Sequence, residues 1–287
     1  MAGIFRRDHP RVDRLELVSD IGDKLAAFRE RRNLAARQPQ GALALVSVQW
    51  VDMEQTIWGV PGVWSPRADG GSGLTLHARL SDNVSVDGDL VNGTVMVRGR
   101  DDESPSAVVF SSTQSGHVIV NDGSYGLRLW DSNSEDLQAF GDIDAFEYTP
   151  EWVIQGSWKE IPGGTSLGFE HLKDDGVARD QVIPGEITFD HEGAHYSIAA
   201  FKAGTALQLV FADATSGEST YSVGRFLFLA PNPDGTITLD FNYAILPPCA
   251  FSYAFNCPLP PGQNRFPFAI EAGEKNVLRR DGSLLHP

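Results

Sequence analysis

The residues able to do chemistry gather toward the C-terminal end of the 287-residue chain. In Thr236–Asn242, Ile237, Leu239 and Phe241 alternate with Thr238, Asp240 and Asn242. An extended strand sends successive side chains to opposite faces, so Asp240 and Asn242 are expected on one face, about 7 Å apart along the chain. Such a pair suits the orienting of a polar ligand, with Glu274 as acid or base and Arg225 as receptor for an anionic group. Tyr221, Val223, Arg225, Leu227 and Leu229 read as one face of another strand. The Arg225 charge must then find an anion or water at the rim of an apolar surface. If the site is open, Arg225 and Asp240 border a cavity; if it is sealed, they pair inside as a structural plug.

Six of the 17 prolines, Pro247, Pro248, Pro258, Pro260, Pro261 and Pro267, fall in this same region. Proline fixes φ and removes a donor, which predicts an ordered, extended loop rather than more sheet. Cys249 and Cys257 lie within it. They are read as reduced buried thiols, with a disulfide or a weak metal pair beside Asp240 or Glu271 as alternatives.

Other constellations are poorer in chemistry. Glu192-Gly193 is a two-residue turn signal, which sets Asp190 opposite His195, His191 opposite Ala194, Phe189 opposite Tyr196 and Ile187 opposite Ile198. The two histidines then face opposite ways and hold no metal together. Asp190 and His195 form either a general-base pair or a solvated cross-strand pair. Gly164-Thr165-Ser166-Leu167-Gly168 spells a nucleophile elbow without the strand before it and helix after it that the device requires. Asp131, Asn133 and Glu135 begin like a calcium loop, but Asp136 stands where glycine is needed. The glycine clusters lack the features of a phosphate or dinucleotide loop. No cofactor is implied.

The elements that must position these residues are mainly strands. Leu74, Leu76, Ala78 and Leu80 alternate with polar residues, as do Val84 and Val86, Val95 and Val97, Val118 and Val120, and Leu127 and Leu129. Asp87-Gly88, Asn92-Gly93 and Asp122-Gly123 punctuate them, the pattern of an antiparallel sandwich or barrel-like body. Before residue 40 the period changes. Val18, Ile21, Leu25 and Phe28 line one face of a helix that starts near Asp20 and Asp23, carries Arg29, Arg31, Arg32 and Arg37 toward its end, and stops at Pro39 and Gly41. The expected organisation is a helical segment over 1–40 and a β-rich body over 41–287, divisible into lobes at 42–145 and 146–280.

The net charge is −15, from 23 Lys and Arg against 38 Asp and Glu. That field repels phosphate backbones, so nucleic acid is not expected as a partner. No apolar run reaches membrane-spanning length and Met1–Pro10 has no signal-peptide core, so a soluble, cytoplasmic protein without a membrane partner is expected.

Several short sequences also carry a resemblance. Thr220-Tyr221-Ser222-Val223-Gly224-Arg225-Phe226, Leu239-Asp240-Phe241-Asn242, Pro247-Pro248-Cys249-Ala250-Phe251, Cys257-Pro258-Leu259-Pro260-Pro261, Asn264 and Ala272-Gly273-Glu274-Lys275 resemble the signature of the bacterial and archaeal family called domain of unknown function 1684. The likeness runs from the helix near Asp20 to Lys275 and is strongest after Phe211. Tyr243 and Ile245-Leu246 depart from it, where more polar residues are expected. The resemblance locates a site without naming its chemistry. Residues and resemblance together give a small-molecule-binding protein whose ligand meets Arg225, Tyr221, Asp240, Asn242, Asn264 and Glu274. An enzyme drawing on Asp240, Glu274 or His195, and a purely structural plug, are the alternatives.

Overall fold

The computed structural model describes residues 14–286, with side chains from residue 21 onward. Strands take 46% and helices 15% of it, and no sheet closes into a barrel. Every strand ladder is antiparallel.

The first half holds two sheets. One is six-stranded, with Leu45–Trp50, Ser124–Asp131 and Gln114–Asn121 forming its long side. The other is four-stranded and built around Val63–Pro66, Leu74–Ala78 and Gly93–Val97. The period-two pattern reappears as burial, because Leu74, Leu76, Val84, Val97, Val118 and Leu127 are all fully buried between the sheets. Leu80 breaks the series. The strand ends at Ala78, and Leu80 opens a short 3-10 turn that leaves it 57% exposed.

The second half is organised by a long hairpin of Val153–Glu170 with Ala178–His191. Ala194–Ile198 flanks it on one side and Thr236–Asp240 on the other. A three-stranded sheet of Ala200–Ala203, Ala206–Phe211 and Arg225–Leu229 packs against it through Ile187, Leu209, Phe211, Ile237, Leu239 and Phe241. The turn after His191 has the expected register, pairing Asp190 with His195, Phe189 with Tyr196 and Ile187 with Ile198. Glu192 and Gly193 take φ of 50° and 79°, the two left-handed positions a two-residue hairpin turn requires. The Gly164–Gly168 run lies inside the Val153–Glu170 strand, so Ser166 is a ladder residue opposite Val182 and not an elbow.

The N-terminal helix spans Arg14–Ala36. Leu25 and Ala36 are buried and Phe28 meets the Tyr243 ring edge-on at 5.0 Å, but polar residues share that inner face. Arg29 donates to the Phe146 carbonyl, and Arg32 grips Glu274. The expected positions Val18 and Asp20 lie outside the described side chains. In the calcium-like segment, Ser134 caps the short helix Glu135–Ala139 and Asp131 accepts from the Asn133 amide, so these residues build a helix start.

Candidate functional site

The C-terminal motif is a tightly bonded clasp. Arg225 opens its strand rather than continuing one from Tyr221, because Tyr221–Gly224 is a turn closed by the Gly224 amide on the Tyr221 carbonyl at 3.1 Å. Gly224 takes φ of 104° and a Cβ there would lie 2.3 Å from the Phe211 carbonyl oxygen, so only glycine fits. The Arg225 side chain is fully buried. It pairs with Asp213 at 2.7 Å, donates to the carbonyls of Ile270 and Ala272, and lies over the Phe211 ring. Asp213, not Asp240, is thus the partner of Arg225. Its other oxygen accepts from the Thr215 amide and hydroxyl and from the Ile270 amide. Burial pulls the Arg225 guanidinium below its usual range, and Asp213 pulls it back.

The other motif residues are similarly engaged. The strand stops at Asp240 and the chain turns into a 3-10 helix over Phe241–Tyr243, which brings Asn242 back onto Asp240 at 2.9 Å. The two side chains therefore touch instead of standing apart along a strand. Asn242 also bonds the amide and carbonyl of Thr149, mimicking a strand partner. Asn264, with no exposed surface, does the same for Ala199 and adds a bond to the Val210 carbonyl. Glu274 accepts from Arg32 at 2.7 and 3.0 Å and from the Leu246 amide at 2.7 Å. The Tyr221 hydroxyl donates to the Cys249 carbonyl, and its burial beside Cys249 pushes the phenol up. Cys249 and Cys257 are buried free thiols, and the Cys249 amide donates to the Cys257 sulfur at 3.3 Å. The hydrogen bond to Cys249 and burial push the Cys257 thiol well up. Among the described residues, no three His, Cys, Asp or Glu side chains gather as a metal site would require. His195 sits 2.8 Å from Asp190 with both side chains mostly in water, at 65% and 80% exposure.

An open cleft lies beside the clasp. The tip of the proline-rich segment crosses to the outer face of the six-stranded sheet, where the Ser252 hydroxyl donates to the Leu45 carbonyl at 2.6 Å. Ala254 and Phe255, like Val48, pack there against the cluster of Ala44, Leu45 and Trp130. Between this tip, the sheet and the turn at Lys173–Arg179 is a cleft of about 840 Å³. Register places Val48, Arg128 and His117 in a row across three strands. Arg100 joins them, its amide bonded to the Val118 carbonyl. Lys173 comes from the turn and is tied to the loop by its amide on the Asn256 side chain at 2.8 Å. Arg128 lies over the Phe255 ring, and its Nε is buried without a hydrogen-bond partner. Burial and the neighbouring Arg100 hold the Arg128 guanidinium below its usual range. Burial, then Arg100 and Arg128, depress His117 to about 4. Arg179 is neutralised by Asp174 at 2.5 and 2.8 Å, and Asp174 also accepts from Asn256.

None of the cleft residues was singled out from sequence. The available signal is the solvent face of two amphipathic strands, where His117, Ile119 and Trp130 make a face more aromatic and apolar than one left to water.

Fold and clasp define a class, the open antiparallel β protein in which a C-terminal loop is sewn down by buried polar side chains. Residues 138–275 match the model of the family described as protein of unknown function (DUF1684), and the chain belongs to that family. The match begins after the first two sheets rather than near Asp20. A solved relative, the uncharacterized protein from gene locus rrnAC0354 of Haloarcula marismortui, is 31% identical over 48% of this chain and 78% of its own, with a TM-score of 0.40. No curated protein matches the chain.

Proposed function

We propose that this protein binds a small molecule in the cleft between the outer face of the six-stranded sheet and the tip of the proline-rich segment. In this reading the C-terminal motif holds one wall of the site rather than touching the ligand. The observation that carries it is the cleft itself: about 840 Å³, within the usual size of ligand sites, and walled by Val48, Trp50, Ile119 and Phe255 with polar groups among them. Binding is favoured over acid–base catalysis because Glu274 spends both oxygens on Arg32 and Leu246, and Asp240 gives one oxygen to two bonds from Asn242. A cytoplasmic location belongs to the same reading and is supported by the free thiols of Cys249 and Cys257.

Amide NMR of the full chain with a library of small fragments tests the reading. Binders should shift the amides of Asn121, Lys173 and Asn256, which border the cleft. Binders that gather instead at the apolar groove beside Phe226, Phe228 and Phe251, or at no common place, would overturn it.

A further inference from the structure

We infer that the ligand of this cleft is an organic dianion, a phosphate monoester or a dicarboxylate on an apolar body, gripped by Arg100, Arg128 and Lys173. The inference rests on the cleft being the binding site.

Charge is the first ground. The chain as a whole carries −15, yet the cleft is lined by four cations, Arg100, Arg128, Lys173 and Arg179, against two carboxylates, Asp101 and Asp174. Both carboxylates are already occupied. Asp174 is held by Arg179 and Asn256, and Asp101 by the hydroxyls of Ser72 at 2.6 Å and Tyr125 at 2.8 Å. Among the described residues, Arg100, Arg128 and Lys173 have no carboxylate partner. An acidic protein has ample carboxylates to place beside them, so three unpaired cations facing one cleft leave charge that a bound anion can meet.

Geometry is the second. Arg128 is partly buried, fixed by Phe255 beneath it, and keeps a buried N–H without an acceptor. Desolvating a cation beside another cation is unfavourable, and an anion between Arg100 and Arg128 would relieve the repulsion. Guanidinium groups present paired donors that fit phosphate and carboxylate oxygens, while Lys173 adds a movable point charge from the opposite wall. The excess of two positive charges matches a dianion. Trp50, Ile119 and Val48 then offer an apolar wall for the remainder of the molecule, which a free inorganic ion would not use.

The site also joins two parts of the chain. Arg100 and Arg128 precede the matched region 138–275, whereas Lys173 lies in it, so the anion would bridge the first sheet and the turn of the long hairpin.

Calorimetric titration of the full chain at pH 7.5 with phenyl phosphate, benzene-1,2-dicarboxylate, benzyl alcohol and benzylamine tests this, with amide NMR to place each probe. At least one dianion should bind about tenfold or more tighter than benzyl alcohol, with benzylamine weakest, and the better dianion identifies the head group. Lys173→Gln, on an exposed side chain outside every core, should weaken the dianion about tenfold and leave benzyl alcohol unchanged. Arg128→Gln should weaken it more. If benzyl alcohol shifts the cleft amides and the dianions gain nothing over it, or if Lys173→Gln changes neither, the charge inference falls while the cleft remains a binding site. If no probe reaches the cleft amides, both fall.

Discussion

At the scale of single residues, Arg225 and Asp213 dominate the clasp because neither side chain retains any contact with water. A buried pair adds little over an apolar substitute, but removing one member leaves a bare charge. Asp213→Asn should therefore cost about 3–5 kcal/mol in urea unfolding. Asp240→Asn removes only charge from a partly exposed carboxylate bonded to Asn242, and should cost about 1 kcal/mol. Equal losses for the two variants would mean that Arg225 does not depend on Asp213. The sequence contains the reason for this pairing, though not in its periodicity. Phe211 pairs with Arg225 across two neighbouring strands, so the residue two places after Phe211 comes within reach of the guanidinium once the hairpin closes. Alternation within one strand gives faces and says nothing about which neighbouring strand supplies a partner. Tyr221 and Asn242 escaped for the related reason that short turns interrupt the period on which their expected directions rested.

At the scale of elements, the hairpins were the most legible part. Glu192-Gly193 alone specified four cross-strand pairs, since a two-residue turn leaves one register. The proline-rich segment was legible as ordered and non-sheet, but its path across the first sheet is set by tertiary bonds such as Ser252 to Leu45. The helix Arg14–Ala36 was legible by period, while its docking depends on Arg32 and Glu274, 242 residues apart. The Glu274 side chain is 3% exposed and the Arg32 side chain 23%, so the pair sits at the seam between helix and body. Arg32→Met leaves Glu274 with only the Leu246 amide and should cost about 3 kcal/mol. Adding Glu274→Gln to it should recover part of that loss, giving a coupling of about 1–3 kcal/mol in a double-mutant cycle. A coupling near zero would show that the helix is held by Phe28 and Leu25 packing alone. The thiols make a parallel test of the proline-rich loop: buried as they are, Cys249 and Cys257 should resist a thiol reagent in the native protein and both react once it is unfolded. Rapid labelling without denaturant would mean that the loop opens freely.

At the scale of the whole molecule, a strongly acidic chain concentrates unpaired positive charge in one cleft, and His117 is the residue that reports it. The imidazole is 8% exposed, packs against the Trp130 ring at 4.5 Å, and faces Arg100 and Arg128. Burial and those two guanidinium groups depress its folded value to about 4, against an unperturbed 6.5. The unfolded chain therefore binds a proton at His117 that the folded chain refuses between these two values. Stability is fully present above about pH 6.5, falls as the pH drops toward 4, and levels off for this residue below that. The full shift corresponds to about 3 kcal/mol, which water in the cleft reduces to about 2 kcal/mol. His171, lowered by burial and Arg179, adds to the loss in the same range, and the depressed Asp101 and Asp174 carboxylates extend it below the usual carboxylate range. Urea unfolding at pH 7, 6, 5 and 4.5 should show this decline, and His117→Gln should flatten most of it above pH 4.5 while changing the pH 7 value in either direction. An unchanged slope in that variant, or an NMR titration of the His117 ring centred near 6.5, would mean that the positive field of the cleft is screened away. A dianion seated between Arg100 and Arg128 would act on the same ring with the opposite sign, raising its titration midpoint at any pH where the ligand keeps both charges.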